Sequence, residues 1–275
     1  RVTAPLAMVA SRQGLPLDRA QELLDTARTK LFAARAQRVH PGRDEKVLTS
    51  WNALMVKGLA RAARVFGNSA WLASARNAVE FMRSGLWRDG RLLATGKHGD
   101  AHLNAYLDDY AFLLDALLEL LQADFRIADL EWARTLAQVM LDQFEDREHG
   151  GFFFVSHDHE RLLYRAKSGY DHATPSGNGI AALALNRLGH LTGEPRFCAA
   201  AARALYAFKP LLERQPSAHA SLCAALEEER VPPTIVVLRG GTDAAAWQRT
   251  INQRYLPHAL VLAIPAGITG LPATL

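Results

Sequence analysis

The sequence predicts a mainly α-helical chain: helical hairpins belonging to an (α/α) toroid, followed by a small βαβ segment. Three observations predict it. Pairs of amphipathic helices separated by short stops recur along the chain. Trp51, Asp109 and Asn178 stand near the start of the first helix in successive pairs, about sixty residues apart, which marks a repeated supersecondary unit. Each pair is followed by a long glycine-rich connection, and such connections can gather on one face above a centre, which favours a closed ring over an open solenoid.

The elements follow in order. Ala20, Leu24, Ala27, Leu31 and Ala34 recur at three- and four-residue steps, so Leu17 to Val39 reads as a first helix. Leu54, Leu59, Ala62 and Phe66 give the next, Gly67-Asn68-Ser69 stops it, and Leu72, Ala75, Val79 and Met82 give its antiparallel partner. Asp89-Gly90, Leu92-Leu93 and the glycines flanking Lys97-His98 read as a turn, a short strand and a loop. A second pair uses Tyr110, Leu113, Leu117 and Leu121, then Ala133, Leu136, Met140 and Phe144. Gly150-Gly151 and a strand-like Phe152-Phe153-Phe154-Val155 follow it. The third pair uses Ile180 and Leu188, is broken at Thr192-Gly193-Glu194-Pro195, and resumes with Phe197, Ala201, Leu205 and Phe208.

Beyond residue 230 the character changes. Thr234 to Leu238 and Leu260 to Ile264 read as buried strands around a helix from Ala245 to Tyr255, a βαβ unit with parallel strands. Two strands make too small a sheet to stand alone, so the piece needs other elements against it. The expected domains are therefore 1–230 and 231–275. Gly240-Gly241 ahead of that helix reads as a tight turn, with anion binding at the helix N-terminus as the rarer alternative.

The 275 residues carry 49% apolar and 22% charged side chains, an ordinary globular balance with room for a sizeable core. The 32 basic and 28 acidic residues leave a formal charge of +4 without a run of like charges, which argues against nucleic-acid binding. No apolar stretch is long enough to span a membrane, and no signal-peptide pattern opens the chain. Cys198 and Cys223 show no ligand or disulfide spacing, and the ten histidines form no close ligand pattern. No metal and no cofactor is expected, and the location expected is cytoplasmic. The first residue, Arg1, is not Met, so a preceding segment is also expected.

Four polar clusters sit in connections or at helix starts, where side chains can face a central cleft. Around Arg43-Asp44-Glu45-Lys46 and Thr49-Ser50-Trp51-Asn52, a helix cap and surface ion pair compete with a pocket wall. In the second reading Trp51 is a flat platform and Arg43, Asp44 and Asn52 bind hydroxyls. Asp108-Asp109 heads the most apolar helix; capping explains one carboxylate, and a desolvated pair would have separated pKa values. Glycoside hydrolysis needs carboxyls on opposite sides of the bond, so Asp109 would work with Asp44 or Asp171. Gly150 to Phe154 reads as a turn with inward aromatics, and Asp171 to Asn178 as a polar loop capped by Ser176. No GxSxG elbow surrounds Ser176. Among the histidines, His98, His102 and His172 are the loop candidates for a single base.

Together RDEKVLTSWNALM at 43–55, AYLDDYAFLLDALLEL at 105–120, GGFFF at 150–154 and DHATPSGNGIAAL at 171–183 resemble the family of thioredoxin-domain-containing proteins related to spermatogenesis-associated protein 20. The resemblance runs from about residue 17 to residue 264. It implies an incomplete (α/α)6, six-hairpin glycosidase-like toroid, preceded in the longer protein by a thioredoxin-like domain and further hairpins. By matching position it carries over Arg43, Asp44, Lys46, Trp51, Asn52, Asp109, Tyr110, Gly150, Gly151, Asp171 and Pro175 to Asn178. Lys46, Tyr110, Ser176 and Asn178 thereby join the binding candidates. Ala53, Glu45 and His172 depart from the family pattern, which more often has glycine, aspartate and glycine there.

Two functions are consistent with this reading. One is a carbohydrate-active toroid, glycosidase-like or sugar-epimerase-like, with Asp109, Asp44 and Asp171 as catalytic candidates and a sugar as ligand. The other is a non-catalytic ligand- or partner-binding toroid working with the thioredoxin-like domain.

Overall fold

The computed structural model describes residues 4–160, 162–240 and 243–275; Arg1 and Gly241 lie outside them. The chain divides into two compact units, Arg1–Glu45 and Lys46–Leu275. The first holds α1 (Leu6–Arg12), which the periodicity did not mark, and α2 (Leu17–Ala36), which ends three residues before Val39. A single turn at Gly14, with φ of 66°, joins them. Of this unit's described apolar side chains only Ala10 and Ala20 are buried.

In the second unit three helical hairpins follow one another: α3 (Thr49–Phe66) with α4 (Ser69–Phe81), α5 (Leu107–Ala123) with α6 (Ile127–Gln143), and α7 (Gly177–Thr192) with α8 (Pro195–Arg214). A further helix, α9 (Ala220–Arg230), stands in the position of a fourth first helix. The stops have plain causes. Gly67 and Gly193 take left-handed conformations at the ends of α3 and α7, with φ of 67° and 69°. Asn68 accepts the amides of Ala70 and Trp71 to start α4, and Pro195 starts α8. The first helices pack side by side in the order α3, α5, α7, α9, while α4, α6 and α8 form an outer layer. That alternation of an inner and an outer helix is the repeat of an (α/α) toroid.

Burial follows the same logic. On α3 the small or branched residues Ala53, Val56, Ala60 and Ala63 are buried at three- and four-residue steps. α5 and α7 are buried on nearly every face because each is flanked by inner neighbours and backed by outer ones. The inner helices also exchange ion pairs. Lys57 of α3 meets Asp115 of α5 at 2.5 Å, Arg64 meets Glu119 at 2.5 Å, and the Arg187 Nε of α7 donates to Glu228 of α9 at 2.8 Å. Asp115, Glu119 and Glu228 are buried.

Strands occupy the connection after α4. A π-helical turn at Met82–Leu86 leads into β2 (Trp87–Arg88), β3 (Arg91–Lys97) and β4 (Asp100–Asn104), and β1 (Val47–Leu48) pairs with β3. All pairings are antiparallel, and both hairpin turns use positive φ, at Asp89-Gly90 and His98-Gly99. The predicted strand at Phe152–Val155 reduces to one isolated bridge between Phe152 and Glu145.

At the C-terminal end β5 (Thr234–Arg239), α10 (Asp243–Asn252) and β6 (Ala259–Ile264) form the expected unit with parallel strands. The expected boundary at 230/231 is not where the chain divides. Leu262 and Ile264 belong to the same core as α5, and Gln122 at the end of α5 accepts the Val261 amide at 3.2 Å. A two-stranded sheet is too small to bury its own faces, so it is absorbed into the helical unit.

Replacing Glu228 by Ala leaves the Arg187 guanidinium buried without its hydrogen-bonded partner, with Asp115 at 3.9 Å and Glu119 acting from further away. The expected loss is about 3 kcal/mol, read as a lowered midpoint in urea denaturation.

Candidate functional site

The N-terminal ends of α3, α5, α7 and α9 carry backbone amides with no partner inside their own helices. Two of the expected catalytic carboxylates satisfy them. Asp109, in the first turn of α5, accepts the Ser50 amide of α3 through Oδ1 at 2.8 Å and the Tyr106 amide through Oδ2 at 2.8 Å. Asp171 accepts the Ser176 amide at the start of α7 at 2.7 Å, and the Ser221 amide and hydroxyl of α9 at 2.8 and 2.5 Å. Asn178 makes the third link: its side chain exchanges hydrogen bonds with the backbone of Phe152 and donates to the Ser168 carbonyl. Asp109 and Asp171 thus stitch neighbouring inner helices together, Asn178 ties α7 to the loop before it, and their oxygens are occupied in doing so.

The other binding candidates scatter. Tyr110 is buried and its hydroxyl accepts the Leu92 amide at 2.8 Å, which anchors β3. Asn52 donates to the Leu48 carbonyl of its own turn. Trp51 is 64% exposed. Lys46 is exposed at the edge of the strand β1. Arg43 and Asp44 belong to the N-terminal unit, where Arg43 pairs with Glu45 at 2.6 Å. Ser176 is the N-cap of α7 and accepts the Gly179 amide at 3.4 Å.

A pocket of about 180 Å³ opens between the starts of α5 and α7. One wall is an extended segment in which alternate residues, Ala166, Ser168, Tyr170, His172 and Thr174, face inward. Phe154, stacked on Tyr106 with ring centres 4.8 Å apart, supplies an aromatic surface. Lys167 holds the wall in place by donating to Asp146 and to the Gly150 carbonyl, each at 2.7 Å. The floor is the first turn of α7 and, from α5, Leu107 and Asp108.

Asp108, not Asp109, is thus the acid that faces the cavity. Among the described residues it has no hydrogen bond and no ion pair, and desolvation alone pushes its carboxyl up to about 6. Asp109 is also pushed up to about 6 by burial, against the two amides that favour its charged form. Asp171 behaves differently: burial raises it, but the Ser221 and Ser176 donors prevail and hold it below the ordinary carboxylate range. Of the three loop histidines, His172 lines the pocket while His98 and His102 lie on the β3–β4 hairpin. The sequence reading chose Asp109 of the pair as the catalytic candidate, whereas Asp108 is the member that lines the pocket.

Among the described residues no group of three or more His, Cys, Asp or Glu side chains could hold a metal ion, and no helix is long and apolar enough to cross a membrane.

A raised native pKa makes folding more favourable for the protonated acid, so stability falls as pH rises from about 4 to about 6. Asp108→Asn removes its share of that fall, seen as a flatter dependence of the urea midpoint on pH. Asp109→Ala, which frees two amides, is expected to cost about 2 kcal/mol at pH 7 in the same measurement.

No family model matches the chain. It is 30% identical over 271 residues to spermatogenesis-associated protein 20 of Homo sapiens and 31% identical over 272 residues to that of Rattus norvegicus. Each match takes in 94% of this chain and 34% of the relative, so the chain spans about a third of the length of the curated relatives it matches. Among solved structures, a GH76 α-mannanase of Bacteroides thetaiotaomicron superposes with a TM-score of 0.57 at 11% identity, over 85% of this chain and 66% of the other. Cellobiose 2-epimerase of Bacillus thermoamylovorans gives 0.50 at 15% identity, over 62% and 46%. At such identities the likeness is one of fold. Over nearly its whole length the chain is homologous to a segment of spermatogenesis-associated protein 20, and its helical hairpins have the fold seen in six-hairpin, glycosidase-like toroids.

Proposed function

We propose that the pocket at the starts of α5 and α7 binds a single sugar unit and that Asp108 exchanges a proton with it. The observation that carries this is Asp108 itself: a partner-free carboxyl, raised to about 6 by desolvation, facing a cavity that His172 also lines. An acid with a pKa near neutrality is suited to both giving and taking protons. The aromatic ring of Phe154 offers an apolar face for a pyranose, and Ser168, Thr174 and Ser176 offer hydroxyl partners.

The cavity is smaller than the roughly 300–1,000 Å³ of ordinary small-molecule sites, which suits one ring better than an oligosaccharide. Its lining holds one carboxyl and one imidazole. Glycoside hydrolysis calls for two carboxyls separated by about 5–9.5 Å, and Asp109 is turned away to cap α3. Aldose–ketose isomerisation needs less: a base removes the C2 proton of an open-chain sugar, the O2 hydroxyl proton passes to O1, and the conjugate acid delivers its proton to C1 on the same face. Epimerisation at C2 would also need His172 to reprotonate C2 from the opposite face. Two solved neighbours in fold are named for action on sugars, as a 2-epimerase and as a mannanase. The thioredoxin-like domain implied by the sequence resemblance belongs to the same proposal, as a neighbour in the longer protein.

The test uses the whole protein with a panel of mono- and disaccharides, reading binding by calorimetry and deuterium uptake from heavy water at C2 by NMR. Binding with deuterium uptake is expected, with a rate that climbs as Asp108 ionises through about pH 6. Asp108→Asn should lose at least about 100-fold in that rate. Binding without uptake rejects the proton-transfer chemistry; absence of any sugar binding rejects the carbohydrate reading and leaves the non-catalytic partner-binding toroid.

A further inference from the structure

We infer that Gly177 is the positioning residue for Asp108, present because only a residue without a side chain lets that carboxyl rest against the first turn of α7. A Cβ built on Gly177 would collide with Asp108 Oδ1, closer than real contacts come, and would press on its Cγ at 3.3 Å. The neighbouring Leu107 Cδ2, at 3.3 Å, would need to yield only slightly. The obstacle is therefore the acid.

The usual reason for a glycine does not apply. Gly177 is the first residue of α7, and its φ is not in the left-handed region, unlike that of Gly193 at the other end of the helix. Alanine fits such a backbone and favours helix over glycine. Gly179, two residues further, is excluded from alanine by different partners, since its Cβ would collide with Ser221 Oγ of α9 and lie 2.9 Å from the Leu222 backbone nitrogen. The two glycines thus admit close contact on two sides of α7: Gly177 towards α5 and the pocket, Gly179 towards α9.

The consequence is functional if Asp108 is the proton-exchanging group, and on that reading this inference rests. A side chain at position 177 would push the carboxyl out of its desolvated seat. The acid would then titrate closer to the ordinary carboxylate range.

A double-mutant cycle on the whole protein tests it without any sugar present. Gly177→Ala is expected to lower Tm by no more than about 2–4 °C, because the atom in the way is the end of an unpartnered side chain that can swing aside. In an Asp108→Ala background the same change should leave Tm unchanged or raise it, because the obstructing oxygen is gone. Gly179→Ala should lower Tm equally in both backgrounds. If Gly177→Ala lowers Tm as much without Asp108 as with it, the inference fails. Carboxyl carbon NMR supplies the second readout: the Asp108 midpoint should drop from about 6 towards the ordinary range in Gly177→Ala, and an unmoved midpoint overturns the positioning role. Neither measurement depends on sugar binding, so failure here and failure of the carbohydrate reading are separable.

Discussion

The free amides at the N-terminal ends of the inner helices are the constraint around which this structure is organised. A toroid brings several such ends to one face, and each end leaves backbone donors that burial would strand. The chain answers by having one inner helix or its approach satisfy the next. Asp109 of α5 reaches the Ser50 amide of α3, and Asp171 ahead of α7 reaches Ser221 of α9. Asn178 closes the interval by bonding to the loop at Phe152. A charged oxygen accepting backbone amides makes a stronger bond than a neutral one, so these links fix spacing and axial register together.

Register is fixed a second time along the helix bodies. The ion pairs Lys57–Asp115, Arg64–Glu119 and Arg187–Glu228 join the inner helices at buried positions where smooth aliphatic packing alone would allow sliding. Such pairs add little net stability against hydrophobic replacements, because desolvation offsets most of their attraction. Their value here is geometric: each opposes a displacement that would strand a buried charge. The small βαβ unit then covers the other end of the helices, where Gln122 bonds both to the Val261 amide and to the Gln248 side chain.

Much of this was legible in the sequence, and the parts that were not share a physical cause. The hairpins, their glycine stops and the parallel strands all announce themselves by local periodicity and turn chemistry, which act within a few residues. Helix α1 is seven residues long and has no periodic stripe to detect. The Phe152–Val155 run looks like a strand because it is an unbroken apolar, aromatic stretch, yet Phe152 pairs as a bridge while Phe153 and Phe154 bond to turns and loops. At the site, the sequence singled out polar segments at helix starts but could not see the contacts that occupy their side chains. Asp109, Asp171 and Tyr110 sit in motifs that resemble a site because structural stitching also places polar residues at helix starts. Whether a carboxylate caps a neighbour or faces a cavity depends on contacts 50 to 59 residues away in sequence, which no local pattern carries.

The two consecutive aspartates show how the stitching and the pocket depend on each other. Successive residues on a helix point about 100° apart, so Asp108 and Asp109 cannot face the same way. Asp109 bonds across to α3 and back to the Tyr106 amide, and that double attachment sets the rotation of α5 about its own axis. With the rotation set, Asp108 must project towards α7, where Gly177 leaves the space for it. Both acids are raised to about 6 by burial, but one is spent on amides and the other has no partner among the described residues. The capping acid thereby aims its neighbour into the pocket, and the orientation of one depends on the attachment of the other.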